Sequence, residues 1–593
     1  MQTDRRQRGN ERPDRRIALT WLVLSTIFVM VGFKSLSQNQ FPDPDDVLRL
    51  VQVRDLLAGQ SWFDLHQYRI DPPNGTLMHW SRIVDIPIAL VIVALTPLLG
   101  VSAAETAALV IVPLLTLGAI LFVVGRLAWR KFDVQVAGLA CLCIGLLAPV
   151  VFQLQPMRLD HHGWQIFTVA LALWSISIRA PWKGGAAAGL AMALGLSISI
   201  EILPMVAAFG GVLALRWFRD RSERWWLTAY MQALALGLAV LFLVARGVSD
   251  LAQHCDAVSP AHLGFFVITA LGTGAIAAAP RVPLLSLAGL FALAGAAGLT
   301  FFGLSSPNCL ATPFTTLDPV VRDFWYVNIL EGRPLWEQDL LPAIPGFAQL
   351  VIALAASVTL ALRNRDWLRI WWTEYTLLLL AGTVLALLVW RSTALAGVIA
   401  AIPLAWLATR LLRRLRLAEG AGAKALSAAA IVLILLPATP VTLYKLLAPS
   451  VMPAAEGNAQ ADKVGESRCV LRDQTAKLGA LPRGVIFAPL DIGPSILLNS
   501  NHAVVATGHH RAEAGMRDVI LAFSGDPANA QAIAAKHGAD YLVMCTDIVE
   551  PSVYAEANPD GLAAQLIAGN PPDWLSPVTF GGPEEFQVWQ VEK

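Results

Sequence analysis

Along the first 450 positions, apolar runs of roughly twenty residues alternate with short polar loops, and beyond them the runs become shorter. As helices, runs of that length cross the hydrocarbon core of a bilayer. The pattern predicts spans near 17–35, 103–125, 134–151, 163–179, 184–200, 202–217, 226–246, 262–279, 283–303, 344–362, 371–390, 392–409 and 425–446. One further run, "DIPIALVIVALTPLLG" at 85–100, is short and carries Pro87 and Pro97. Counted as a span, it puts "GRLAWRK" (125–131) and "RWFRDRSER" (216–224) outside, against the tendency of Lys- and Arg-rich loops to stay in the cytoplasm. Read as an interfacial or re-entrant helix, it leaves thirteen spans. Those two loops then share the cytoplasmic side with "RAPWK", "RNRDWLR" and "RLLRRLRLAEGAGAK".

This topology starts with a cytoplasmic N-terminus. It places residues 36–102, 152–162, 304–343 and everything after about 447 on the outer face. Within the first of these segments, Val47, Leu50, Val53 and Leu57 recur at helical spacing, which predicts a helix lying on the membrane surface. In the tail, "GVIFAPL", "AVVAT" and "YLVMC" read as buried strands, and "DPANAQAIAAKHG" as a helix ending at Gly538. The expected fold is an α-helical polytopic membrane domain over 1–450, followed by an extracytoplasmic α/β domain over 451–593. The expected location is a bacterial inner membrane, with that domain in the periplasm.

Composition agrees. The 593 residues are 56% hydrophobic and 15% charged, where soluble domains carry about 25% charged residues. A net charge of +1 and the absence of a basic domain give no reason to expect a nucleic-acid partner. The first apolar run follows a basic stretch, is long for a signal-peptide core and lacks a small-residue exit, so it reads as an uncleaved span. Six cysteines fall in regional pairs: Cys141 and Cys143 in a span, Cys255 and Cys309 in loops, Cys469 and Cys545 in the tail. On the outer face, the last two pairs would be free to form disulfides.

Ionisable groups gather on the same face. "FPDPDDVLR" carries Asp43, Asp45 and Asp46; "MRLDHHG" carries Arg158, Asp160, His161 and His162; "YVNILEGRP" carries Glu331. Singly, such acids serve as helix caps or solvated loop residues. Together, carboxylates and imidazoles from separate segments can converge on one divalent cation, with oxygen ligands favouring Mg²⁺ or Mn²⁺. Arg391, between two apolar runs, either snorkels to the interface or meets a lipid phosphate or diphosphate. Glu201, in "SISIEILP", is either a turn residue or part of a polar cavity. No GxxxxGK[ST], strand-borne GxGxxG, CxxC or HExxH occurs, so a substrate activated in the membrane fits better than a nucleotide.

These stretches resemble the catalytic subunit of oligosaccharyltransferase and its GT-C glycosyltransferase relatives, which take a sugar from a polyprenyl-linked donor on the outer face. "DDVLRLVQVRDLLAG" is similar to the family's first outer loop, whose metal-holding Asp matches Asp45, with Asp46 the adjacent alternative. "MRLDHHG" stands where the family has an Asp-x-Asp type motif, so Asp160 matches the first ligand and His162 replaces the second acid. "NILE" resembles Thr-Ile-x-Glu, matching Glu331, with Asn328 in place of Thr. "WRSTALAGVIAAIPLA" resembles the span whose arginine contacts the donor phosphate, matching Arg391. The likeness implies a divalent metal on Asp45, Asp160, His162 and Glu331, with Asp45, Asp46 and Glu331 as the catalytic carboxylates. The family's Trp-Trp-Asp-Tyr-Gly acceptor signature is reduced to Asp491 and Gly493 of "PLDIGPSILL", which puts the usual asparagine acceptor in doubt. The implied activity is transfer of a sugar or oligosaccharide from a polyprenyl-(di)phosphate to an acceptor protein, glycan or lipid at the bilayer. A lipid or solute transporter, or a non-catalytic assembly subunit, are the alternatives.

Overall fold

The computed structural model describes residues 12–279, 281–311, 314, 317–447, 467–579 and 581–592. The domain boundary expected near 450 and the first eleven residues lie outside these. A helical bundle fills the first part and a five-stranded sheet organises the last. Among the described residues, nine helices are each long and apolar enough to cross a membrane. Of the other predicted spans, 17–35 and 184–200 form the continuous helices Pro13–Val31 and Pro181–Ile198, 163–179 gives the shorter His162–Ser175, and two are interrupted. The run at 134–151 becomes Val134–Ile144, started by the Asp133 cap and followed after a break by Ala148–Phe152. The run at 425–446 divides at Pro437 into Ala421–Leu435 and Thr439–Leu447, because proline cannot donate the next helical hydrogen bond.

The basic loops meet at one end of the bundle. The Lys131 ammonium lies over the Trp367 and Trp371 rings, and the Arg179 guanidinium over Trp367. Arg216 pairs with Glu374 at 2.5 Å and Arg413 with Asp133 at 3.5 Å. Asp14, in the first turn of Pro13–Val31, meets Arg126 at 3.4 Å, so the start of that helix lies at this end too. The C-terminal domain lies at the opposite end.

The helix Arg82–Leu99 has the composition of a span, yet both its ends are tied to the domain side. Near its start, Asp85 pairs with Arg49 at 3.1 Å. At its finish, Gly100 takes a φ of 79° and the chain turns directly into Val101–Lys131. There Glu105 pairs with Arg54, whose Nη1 also donates to the Leu498 carbonyl of the C-terminal domain.

A short hairpin of β1 (His66–Gln67) and β2 (Thr76–Leu77) lies in the first outer segment; the C-terminal strands β3 (Val485–Phe487), β4 (Ala503–Val504), β5 (Tyr541–Cys545), β6 (Leu575–Pro577) and β7 (Phe586–Val591) form a sheet in the order β4-β3-β5-β7-β6. β4, β3 and β5 are parallel; β7 and β6 close the sheet antiparallel. Two disulfides form, Cys255–Cys309 and Cys469–Cys545, the second joining the start of the domain to the end of β5.

The helix predicted to lie on the membrane surface is Pro44–Leu57, and its surroundings differ from that expectation. Every residue from Asp46 to Val53 is buried, because the bundle covers one face and the domain helix Gly493–Asn499 the other. Leu48 and Val51 join the domain's own core, together with Ile70, Met78 and Trp80. The first outer segment is therefore a layer between bundle and domain.

Inside the bundle, Pro181–Ile198 meets Arg224–Ala245 backbone to backbone. A side chain at Gly185 would strike the Trp226 carbonyl, and one at Gly189 the Tyr230 carbonyl. This small-xxx-small spacing lets helices approach closely in a bilayer. Gly189→Val should cost about 1–3 kcal/mol of stability and lower the melting temperature in detergent. An unchanged melting curve would contradict the close approach.

Candidate functional site

The site forms where three parts of the domain-facing side meet the ends of bundle helices. Asp43 caps the helix Pro44–Leu57, its side chain accepting the Asp45 N–H, and Pro44 occupies the first turn. Local sequence thus points the acids of "DPDD" toward the turn at 153–162. Asp46 is fully buried. Its Oδ1 accepts the backbone N–H groups of Leu159 at 2.7 Å and Asp160 at 2.9 Å, and its Oδ2 lies 3.0 Å from Arg158 Nη1. The same nitrogen lies 2.9 Å from Asp43 Oδ2.

Asp160 in turn holds both histidines. Oδ1 lies 2.5 Å from His161 Nδ1 and Oδ2 lies 2.5 Å from His162 Nδ1, with the rings stacked at 4.3 Å. Burial pushes the Asp160 carboxyl upward, but the two imidazoles outweigh it and hold the group well below the usual carboxylate range. Burial opposes charge on His161, yet Asp160 and then Glu201 raise that imidazole to about 9. Both Nε2 atoms are buried and without a hydrogen-bond partner among the described residues. Both face Glu201 Oε2, at 3.9 Å from His161 and 3.8 Å from His162.

Glu201 lies in the short turn Ile200–Ile202 between two bundle helices, and its Oε1 binds Arg391. Arg391, on the turn Trp390–Ser392, also reaches Glu331 Oε1 at 3.4 Å. The backbone reinforces this link, since Trp390 N–H donates to the Arg333 carbonyl at 2.9 Å. A continuous polar chain therefore runs from Asp46 through Asp160, the histidines and Glu201 to Arg391 and Glu331.

Of the two adjacent acids, Asp46 has both oxygens committed to holding the turn. Asp45 is half-buried, and its carboxylate has no hydrogen bond or ion pair among the described residues. Burial, followed by the charges of Asp43 and Asp160, raises it well above the ordinary carboxylate value. An unpaired carboxylate beside Asp160 and an orphaned imidazole nitrogen on His162 are a donor set suited to a divalent cation. Asp160, His161 and His162 offer ligand atoms within 4.8 Å of one another.

Asp491 and Gly493 stand apart from this chain. Gly493 begins the helix Gly493–Asn499, and a side chain there would crowd the Ala506 carbonyl. Asp491 is exposed, lining with Asp43 a cleft of about 610 Å³ between the first outer segment and the domain. Enclosure there and the charge of Asp43 push its carboxyl up to about 6.

Sequence reasoning left several members unassigned. Arg158 and His161 are both integral, and Glu201 is the link to Arg391. Arg49 was not anticipated: it is fully buried beneath the Trp80 ring, 4.6 Å from its centroid, with Nη2 3.9 Å from Asp160. The available signal was an arginine on a helix otherwise headed for burial, with an acid, Asp85, at the start of an apolar run.

This bundle, with acids on the first outer segment and in the turn at 153–162 beneath an α/β domain, shares its fold with a solved oligosaccharyltransferase. It is similar to the archaeal oligosaccharyltransferase AglB from Archaeoglobus fulgidus. The complex of that protein with an inhibitory peptide and a dolichol-phosphate matches at TM-score 0.59 and 15% identity, over 97% of this chain and 74% of that one. Its apo form matches at 0.59 and 14%, over 96% and 74%. Its complex with Zn and sulfate matches at 0.53 and 14%, over 97% and 73%. No protein-family model and no curated protein sequence matches the chain.

The adjacent acids should separate on substitution. Asp46→Ala leaves two N–H groups without their acceptor and takes from Arg158 one of its two close carboxylates, and should cost about 3 kcal/mol. Asp45→Asn should leave thermal stability nearly unchanged while weakening Mn²⁺ binding. Equal loss of stability from both would contradict the division of roles.

Proposed function

We propose that the protein is a membrane glycosyltransferase. It moves a sugar or oligosaccharide from a polyprenyl-(di)phosphate donor to an acceptor on the face that carries the C-terminal domain. The observation that carries this reading is the convergence of Asp45, Asp160, His162 and the Glu201–Arg391–Glu331 chain at the domain-facing lip of the bundle. The A. fulgidus protein of like fold is described with dolichol-phosphate, with an acceptor peptide containing an NVT sequon and with Zn and sulfate. Those descriptions support a lipid-linked donor, a divalent ion and an anion-binding site here.

Asp45, Asp160 and His162, with Glu331 at the far side, would hold the ion, Mg²⁺ or Mn²⁺ by the hard character of the carboxylates. When bound, such an ion neutralises charge developing on the donor phosphate. Asp46 and Arg158 hold the Asp160 turn in place. Arg391 binds a donor phosphate oxygen, with Glu201 and Glu331 fixing its guanidinium in the meantime. The acceptor's nucleophilic atom forms a bond to the anomeric carbon as the bond from that carbon to the phosphate oxygen breaks. The bonding pair leaves with the polyprenyl phosphate, and the acceptor's proton passes to a carboxylate, Asp45 or Glu331.

The cleft lined by Asp43 and Asp491 is the acceptor's approach; Asp491 is its contact on the domain side, while Gly493, expected beside it, is buried against the Ala506 carbonyl and sets the turn behind the wall. Lacking the aromatic members of the usual signature, this wall favours an acceptor other than the Asn-x-Ser/Thr sequon. The tendency of basic loops to stay inside supports a cytoplasmic side for the other end of the bundle and, in a bacterial inner membrane, a periplasmic side for the site.

Mass spectrometry of glycoproteins, surface glycans and lipid-linked sugars in wild-type, deletion and Asp160→Ala strains tests the proposal. In the deletion, one glycan should vanish from its acceptor while its lipid-linked donor accumulates, and Asp160→Ala at equal expression should fail to restore it. Full restoration by Asp160→Ala would replace this reading with a transporter or an assembly subunit.

A further inference from the structure

A second group of imidazoles lies away from the donor site, where three distant segments meet. His79 follows the short hairpin of β1 (His66–Gln67) and β2 (Thr76–Leu77) in the first outer segment. Asp256 neighbours the disulfide-bonded Cys255 in the loop after the helix Arg224–Ala245. His509 and His510 lie in the C-terminal domain just after β4. The three rings are mutually close, with centroids 4.9 Å apart for His79 and His509, 4.8 Å for His79 and His510, and 5.1 Å for His509 and His510.

Contacts within the group have the order expected of a ligand shell and its supports. His79 Nδ1 lies 2.9 Å from His509 Nε2, and His510 Nε2 lies 2.7 Å from Asp256 Oδ2. Arg511 grips the same carboxylate, Nη2 to Oδ1 at 2.6 Å and Nε to Oδ2 at 2.8 Å. Arg246 donates to the His79 carbonyl at 3.0 Å. His79, Asp256 and His510 each offer a ligand atom, all within 4.8 Å of one another. His509 is buried, and its Nδ1 has no hydrogen-bond partner among the described residues. A cavity of about 20 Å³, lined in part by His79, Arg246 and Asp256, adjoins the group; that is room for one small ion or water.

A pure hydrogen-bond network accounts for this arrangement poorly. Three crowded imidazoles gain little from one another as hydrogen-bond partners. Two imidazoles and a carboxylate instead match the borderline ligand set preferred by zinc over magnesium or calcium. Tetrahedral coordination needs ligand atoms about 3.3 Å apart, which asks of these side chains a contraction of rotamers only.

We infer that His79, His510 and Asp256 bind a divalent transition metal of the zinc class, latching the C-terminal domain to the first outer segment and to the disulfide-bonded loop. His509 fixes the tautomer of His79, and Arg511 orients Asp256, as supporting groups do at metal centres. The metal's affinity for the folded chain alone stabilises the assembled state. This site shares no ligand with the one holding Asp45 and Asp160.

Zinc chloride titration of the purified full-length chain tests it. To silence the first site, the titration uses the Asp160→Asn/His162→Gln variant, with calorimetry for stoichiometry and a melting curve at each zinc level. The expected result is one zinc per chain and a zinc-dependent rise in melting temperature, with both lost on adding His510→Gln or His79→Gln. Cobalt provides a second reading in the same Asp160→Asn/His162→Gln variant: visible bands of tetrahedral Co²⁺ should appear, and adding His510→Gln should remove them. Absence of zinc binding in the Asp160→Asn/His162→Gln variant, or zinc and cobalt signals unchanged by His510→Gln, would overturn the inference.

Discussion

The Asp46 carboxylate, removed from solvent, receives the backbone N–H groups of Leu159 and Asp160 and the guanidinium of Arg158. A buried carboxylate is destabilising by several kcal/mol unless such donors surround it, so helix Pro44–Leu57 and the turn at 153–162 hold each other in one register. Asp160 has its place because its own N–H is bound. The histidines have theirs because Asp160 holds both rings. Glu201, Arg391 and Glu331 extend the same network to the far side of the lip. Loss of the first contact would release groups that are far apart in sequence.

The domain takes part in this order. Residues of the first outer segment belong to its core, and Arg54 links Glu105 of the bundle to the Leu498 carbonyl of the domain. Arg49 joins the layers from within, lying under Trp80 and pairing with Asp85. The acid-rich lip and the cleft beside Asp491 therefore share one wall, built from the helix Pro44–Leu57.

Much of the architecture was legible because a bilayer restricts the solutions. Apolar run length marked most helices, and the distribution of arginines marked which ends belong together; Asp14–Arg126, Arg216–Glu374 and Arg413–Asp133 show those ends meeting. The three parallel strands of the tail stood out as short apolar runs. β6 and β7 did not, because less buried positions along them carry polar residues such as Ser576, Gln587 and Gln590. Asp45, Asp160, His162, Glu331 and Arg391 could be named from order and resemblance. The roles of Asp46, Glu201 and Arg49 could not, since each depends on a partner more than thirty positions away whose approach no local pattern encodes. Likewise, the amphipathic spacing of 47–57 spoke for one buried face, while the second was set by a domain over four hundred residues downstream.

The central claim is that Asp45, Asp160 and His162 form a metal site at the lip, with Arg391 placed to meet a phosphate beside it. Anomalous diffraction from crystals of the protein soaked in Mn²⁺, collected at the manganese edge, addresses it most directly. The account predicts a peak within coordinating distance of Asp45, Asp160 and His162 that disappears in Asp160→Asn. Ordered side chains with no peak at that position, or a peak that survives Asp160→Asn, would contradict it.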